Sequence, residues 1–342
     1  MSTMRSDDSR PPSHVADQRP ETSALYALVP DWGSLPADLA YDDAAGVAVG
    51  DGDRVYVLTR RPSLVLIFES DGTFVTSWGE GLFTDRSHGI SAGPDGSIYC
   101  VDDGDQTVRK FTPDGSLLLT LGSSGTTSDT GYDGRNIGSI QRSAGPFNRP
   151  TNLAVGPTGD LFVSDGYGNA RVHRFSPEGN LLTSWGTPGT GPGEFHLVHG
   201  IATLPDGHVL VADRENDRIQ VFDSDGTFME QWTDVQRPTQ VAFDSLHSVL
   251  AVSELGWRAG QRSFVHGPRP DLPSRVTILD MTGAVVDRWG GADAQAPGNF
   301  IAAHGIAVDA AGDLYVAEVS WTIGVSQGLV PAGCHTLQKF RR

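Results

Sequence analysis

One pattern recurs six times along the 342 residues: a short apolar run, a tight turn, a second apolar run that in most copies ends near an acidic residue, then a third apolar run and another turn. The copies open at AGVAVGDGDRVYVLTR (from Ala45), HGISAGPDGSIYCVDDG (His88), TNLAVGPTGDLFVSDGYGNARVHRF (Thr151), HGIATLPDGHVLVADRENDRIQVF (His199), TQVAFDSLHSVLAVSE (Thr239) and HGIAVDAAGDLYVAEVSW (His304). Self-similarity at such a period marks stacked units, each burying its apolar face against its neighbours. Every copy reads as three strands, and most are followed by a fourth with alternating apolar residues after a glycine turn: GTFVTSWG, GNLLTSWG, GTFMEQW and GAVVDRWG. Four antiparallel strands in each of six units predict an all-β fold, a six-bladed β-propeller. The 42 glycines and 21 prolines suit many short strands better than long helices.

The sixth copy ends at LQKFRR without a fourth strand, while an orphan apolar segment, ALYALVPDWG, stands near the N-terminus. That segment is expected to complete blade six and remove an open sheet edge. Residues 1–23 are polar and Pro-rich, so a disordered tail is expected there, with the propeller spanning 24–342. The start of the chain has no apolar core segment, which predicts neither a secretory leader nor a membrane anchor. With only Cys100 and Cys334, and Cys100 inside an apolar strand, no disulfide framework is expected and the reading is cytoplasmic. A formal charge of −17 repels phosphate backbones and anionic membranes, which excludes nucleic acid and membrane partners and leaves a small molecule.

In an up-and-down blade the starts of the inner strands, the ends of the second strands and the links between blades share one face. Three long departures from the repeat fall there, residues 123–147, 255–275 and 319–335, and insertions grouped on one face suggest a binding mouth. The first residue of the inner strand is Ala45, His88, Thr151, His199, Thr239 and His304 in blades one to six, so histidine occupies alternate blades. Around a six-fold ring that places three imidazoles at threefold positions facing the axis, as a three-histidine metal site with open positions requires; zinc is the expected ion. The competing reading is that each histidine caps its strand by a hydrogen bond. His173, His208 and His14 read as structural or solvated, while His196, His266 and His335 lie in or beside the loops of the mouth. Asp102, Asp165 and Asp213 share one column and read as hydrogen-bonding turn residues; Glu254 and Glu318 take that place in blades five and six, beneath two of the insertions.

The words FNRPTNLAVGPTGDLFVSDGYGNARVHRFSPEG and GEFHLVHGIATLPDGHVLVADRENDRIQVF, with three HG strand starts, resemble peptidyl-α-hydroxyglycine α-amidating lyase, a family of NHL-type propellers. The resemblance spans nearly the whole propeller and is strongest through blades two to four. It implies that His88, His199 and His304 hold zinc, that Tyr167 in SDGYGN takes the substrate hydroxyl proton, and that Arg60 and Arg214 are active-site arginines. It implies cleavage of an N-acyl-α-hydroxyglycine to a primary amide and glyoxylate. The Asp that helps that family hold calcium is replaced by Gly305, so the resemblance carries over zinc and not calcium. Without the partner monooxygenase domain, and in a cytoplasmic setting, the expected substrate is a small metabolite bearing an α-hydroxy or carbinolamide group. Two other classes stay open on the residues alone. One is a metal-dependent hydrolase of lactonase or esterase type, with Glu254 or Glu318 as base; the other is a non-enzymatic NHL interaction module.

Overall fold

The computed structural model describes residues 22–37, 39–40 and 42–342, and its strands form six four-stranded antiparallel sheets. Blade one is built from Asp43–Val49, Val55–Arg60, Val65–Phe68 and Phe74–Trp78, running from the axis outward. Its second strand, VYVLTR, is buried along nearly its whole length. Such continuous burial calls for an unbroken β-branched and apolar run. Outer strands such as Leu181–Trp185 are more exposed, Leu181 and Leu182 both facing solvent and only the closing Trp185 being buried. The six inner strands touch in a ring, blade one meeting both blade two and blade six.

The core is not central but divided into wedges between blades. Tyr99, Val101 and Val108 of blade two pack with Leu153, Leu161, Val163 and Phe175 of blade three. A second device repeats at the rim. The tryptophan ending a fourth strand sits under the glycine turn of the next blade, so a Cβ on Gly226 would lie 2.5 Å from the Trp185 ring and one on Gly283 2.3 Å from Trp232. Both glycines have φ near +90° (90° and 82°), a conformation in which the missing side chain costs nothing.

Closure follows the expected route. Ala27–Val29 pairs antiparallel with Leu337–Arg341 and supplies the fourth strand of blade six. The same segment reaches two more blades: Tyr26 stacks on Trp289 of blade five at 5.7 Å, and Trp32 donates its indole N–H to Ser70 of blade one at 3.0 Å. Of the expected tail, residues 1–21 lie outside the described residues. Ser23 hydrogen-bonds Asp287, so the described chain joins the fold slightly before the expected boundary. No helix among the described residues is long and apolar enough to cross a membrane, and Cys100 and Cys334 are free thiols.

Candidate metal centre

Each inner strand begins one or two residues before the column that holds the histidines, and the column itself coincides with a β-bulge. The register skips Ala45, Thr151, His199, Thr239 and His304, and in blade two the skip falls on His88 and Gly89. A bulged residue leaves the alternation of its strand, which re-aims its side chain. Here the six bulges turn one residue per blade toward the axis. The glycine after each histidine answers a close approach, since a Cβ on Gly89 would lie 2.6 Å from the Thr151 carbonyl and one on Gly200 2.5 Å from that of Thr239.

Those same carbonyls orient the imidazoles. His88 Nδ1 lies 2.6 Å from the carbonyl oxygen of Thr151, His199 Nδ1 2.8 Å from that of Thr239, and His304 Nδ1 2.7 Å from that of Ala45. A carbonyl oxygen only accepts, so each Nδ1 carries the proton and each Nε2 presents a lone pair. The ring centroids stand 4.7–4.8 Å apart and the three candidate ligand atoms lie within 4.8 Å of one another. Burial is the main force that keeps the rings uncharged. It holds His88 and His199 well below the usual imidazole range and His304 at about 3, with neighbouring imidazoles and the Arg60 and Arg214 guanidinium groups adding to the effect. Three neutral imidazoles with converging lone pairs and fixed outer hydrogen bonds form a donor set that suits a borderline-soft divalent ion.

Tyr167 follows the second strand of blade three, and its Oη lies 3.1 Å from His88 Nε2 and 3.2 Å from His199 Nε2. Its loop is pinned from two sides. Tyr167 N–H donates to the Arg149 carbonyl at 3.3 Å, and Thr130, in the 123–147 insertion, donates to the Gly168 carbonyl at 2.6 Å. Arg214 stacks over the phenol ring at 5.6 Å and approaches its oxygen at 3.4 Å, while its Nε binds Glu215 at 2.8 Å. Arg214 therefore serves as an ion-pair partner and a neighbour of the phenol at once; Arg171 bonds backbone carbonyls instead of a carboxylate.

Arg60 occupies the column held by acids in the other five blades, opposite Asp43 in the register. The acids have a structural task, each accepting the backbone N–H of the loop entering the inner strand: Asp102 from Thr84 (2.7 Å), Asp165 from Asn148 (3.0 Å), Asp213 from His196 (2.8 Å), Glu254 from Gln236 (2.5 Å) and Glu318 from Ile301 (2.7 Å). In blade one that task is gone. Arg60 donates its Nε to the Ser87 carbonyl at 2.7 Å, has no carboxylate within ion-pair distance among the described residues, and lowers the proton affinity of all three imidazoles. The exception in the repeat column was the sequence signal for Arg60, and it is visible only once the strands are in register.

Beneath the imidazoles, Asn152 donates to Gln240 across the ring at 2.8 Å. The two amides lie where the glycines of the histidine blades leave room, a Cβ on Gly89 falling 2.8 Å from Asn152 Oδ1 and one on Gly200 2.5 Å from Gln240 Oε1. Among the described residues, the remaining histidines stay apart from the cluster. His173 is buried against Asp165 and Ser184, His196 stacks on Phe264 at 4.0 Å, His266 pairs with Asp217 and His335 with Glu318.

The NHL repeat model matches residues 147–175 and 195–222. NHL repeat-containing protein 3 of Homo sapiens is 32% identical over 59% of this chain and 58% of its own length. Peptidyl-alpha-hydroxyglycine alpha-amidating lyase 1 of Drosophila melanogaster is 32% identical over 76% of this chain and 48% of its own length. The chain thus spans about half the length of these relatives. A gluconolactonase of Xanthomonas campestris superposes with a TM-score of 0.56 at 16% identity, covering 88% of this chain and 87% of that one. A virginiamycin B lyase of Staphylococcus aureus gives 0.52 at 16%, covering 88% and 95%. These two likenesses are of fold.

Proposed function

This chain is an NHL-repeat β-propeller homologous to the peptidyl-α-hydroxyglycine α-amidating lyases, and from that premise we propose that it is a zinc-dependent lyase. It cleaves a small N-acyl-α-hydroxyglycine, or a related carbinolamide, into an amide and a glyoxylate-type product. The reading is carried by one observation: a phenol oxygen 3.1 and 3.2 Å from two of three converging imidazole nitrogens, with a guanidinium over its ring.

His88, His199 and His304 would hold the zinc through Nε2, their Nδ1 protons staying on the backbone carbonyls. When bound, the ion supplies Lewis-acid polarisation of the substrate hydroxyl or carboxylate. Tyr167 accepts the hydroxyl proton. The Arg214 guanidinium stands 3.4 Å from its oxygen, and a base of this kind contributes typically about 10²–10⁴-fold. The O–H electron pair becomes the new carbonyl π bond, the C–N bond breaks, and the proton taken by Tyr167 returns to the departing amide nitrogen, so the step consumes no water. Arg60, whose terminal nitrogens have no carboxylate partner among the described residues, grips the substrate carboxylate by paired hydrogen bonds.

A base on Tyr167 favours the lyase over a hydrolase, because the carboxylates considered for a hydrolase, Glu254 and Glu318, each accept an N–H of the loop entering their own blade. The experiment is glyoxylate release from a simple N-acyl-α-hydroxyglycine, before and after chelation and zinc restoration. Zinc-dependent release is expected; no release from metal-loaded protein would rule the lyase out and leave a hydrolase as the better reading.

A further inference from the structure

The mouth is not uniform. On the side of blades one to three it is polar, with Arg60, Arg86 and Arg149 gathered around buried Asp103. On the side of blades five and six, beneath the 255–275 and 319–335 insertions, lies a cavity of about 410 Å³ walled by Leu255, Trp257, Leu272, Ile301, Ile323 and Val330. Its volume falls in the range of small-molecule sites, roughly 300–1,000 Å³, and Arg237, Arg258, Gln261 and Asp271 share its lining with the apolar residues. The neck of the insertion fixes the cavity wall, Trp257 and Leu272 exchanging backbone hydrogen bonds at 3.0 and 2.8 Å.

Two buried donors on this wall lack an acceptor, Trp257 Nε1 and Arg237 Nε. Indoles of Trp185, Trp232 and Trp289 also lack one, but those belong to the fourth strands at the rim, whereas Trp257 lines the cavity. The cavity is also wired to the reacting centre. Arg237 donates to Glu215 at 2.8 Å, the same carboxylate oxygen accepts Arg214 Nε at 2.8 Å, and Arg214 reaches Tyr167 Oη. Arg237 stands two residues before Thr239, whose carbonyl orients His199, and Ile301 three residues before His304.

We infer that this cavity receives the acyl group of the substrate, and that the substrates are N-acyl-α-hydroxyglycines whose acyl part is aromatic or branched and apolar. This rests on the lyase reading. The carboxylate end lies toward Arg60 and the acyl end toward Trp257, with the carbinol carbon between them at Tyr167.

The test compares kcat/KM for glyoxylate release from N-phenylacetyl- and N-acetyl-α-hydroxyglycine in zinc-loaded wild type, Ala294→Phe and Leu329→Trp. Both substitutions add bulk at the cavity, and Leu329 is 45% exposed, so the second leaves the core untouched. Burying a phenyl ring predicts a wild-type preference of roughly 30-fold for the phenylacetyl compound, falling to within about threefold in both variants. Equal turnover of the two compounds by wild type, or a preference that neither variant lowers, overturns the assignment and leaves the lyase reading standing. If neither compound releases glyoxylate, the lyase reading fails, and calorimetric binding of phenylacetamide against acetamide decides the cavity. Phenylacetamide binding that both variants weaken keeps it as an aryl-amide site, and binding of neither amide removes it.

Discussion

Gly166 is where the site has least room. A Cβ there would lie 1.9 Å from the carbonyl oxygen of Val198 and 2.6 Å from its N and C atoms, and real Cβ contacts essentially never fall under 3.0 Å. In Gly166→Ala either the Tyr167 loop or the Val198–His199 backbone must therefore move by about 1.1 Å, the gap between 1.9 and 3.0 Å. Both movements change the same quantity, the separation of Tyr167 Oη from His88 and His199 Nε2, now 3.1 and 3.2 Å. A displacement of this size at a reacting group costs roughly 100-fold in rate, and overpacking of this kind about 1–3 kcal/mol in stability. The expected variant is folded and metal-replete, with kcat/KM for glyoxylate release down about two orders of magnitude. Gly267→Ala is the control, because a Cβ there meets nothing within 4 Å and its φ is not in the left-handed region. The measurements are glyoxylate release, metal content by mass spectrometry and thermal unfolding. A folded, metal-loaded Gly166→Ala protein within threefold of wild type would refute the claim that the phenol works at its present position.

Tyr167→Phe is expected to keep its metal and lower kcat by roughly 10²–10⁴-fold; wild-type turnover in that variant would take the proton away from Tyr167. His199→Ala should lose the metal that wild type binds stoichiometrically, and metal retained at full occupancy would dismiss the three-histidine centre. Stability of the metal-free protein should fall with acid. His304, about 3 in the fold against an unfolded value near 6.5, leaves the unfolded chain binding more protons between those limits, so its contribution is complete above 6.5 and is lost as pH falls toward 3. At pH 5 this amounts to roughly 2 kcal/mol from His304 alone, checked by denaturant unfolding at pH 7.5 and 5 against His304→Gln, and parallel curves for the two proteins would count against it. Trp32→Ala, deep in the clasp against Phe68 and Tyr315, should cost about 3–5 kcal/mol, read as a lower denaturation midpoint; a midpoint unchanged from wild type would deny the clasp its role.

The propeller was legible because its information is periodic: six copies, four strands each, and an orphan strand ALYALVPDWG for the blade that lacked one. The alternation of His88, His199 and His304 was legible for the same reason. What no letter encodes is the bulge that aims them, since the backbone can bulge at Ala45 as readily as at His304. Nor does sequence reveal that the Thr151, Thr239 and Ala45 carbonyls hold the imidazoles, because every residue carries that atom. Glu254 and Glu318 looked free to face the site beneath the insertions. Register shows them doing the work of Asp102, one methylene longer. The cavity at Trp257 depends on two insertions, 255–275 and 319–335, separated by 43 residues of chain (276–318), which pattern reading does not reach.

The alternation of imidazole and acceptor around the axis has a consequence in arithmetic. Every histidine blade leans on the next blade for the carbonyl that fixes its tautomer, and every acceptor blade serves the one before it. Such a pattern closes only on a ring with an even number of blades. A relative that gained or lost a single blade would bring two ligand blades, or two acceptor blades, side by side and leave the cluster without threefold order. For this centre the heritable unit is the pair of blades, and the parity of the ring is as much a requirement of its chemistry as the imidazoles themselves.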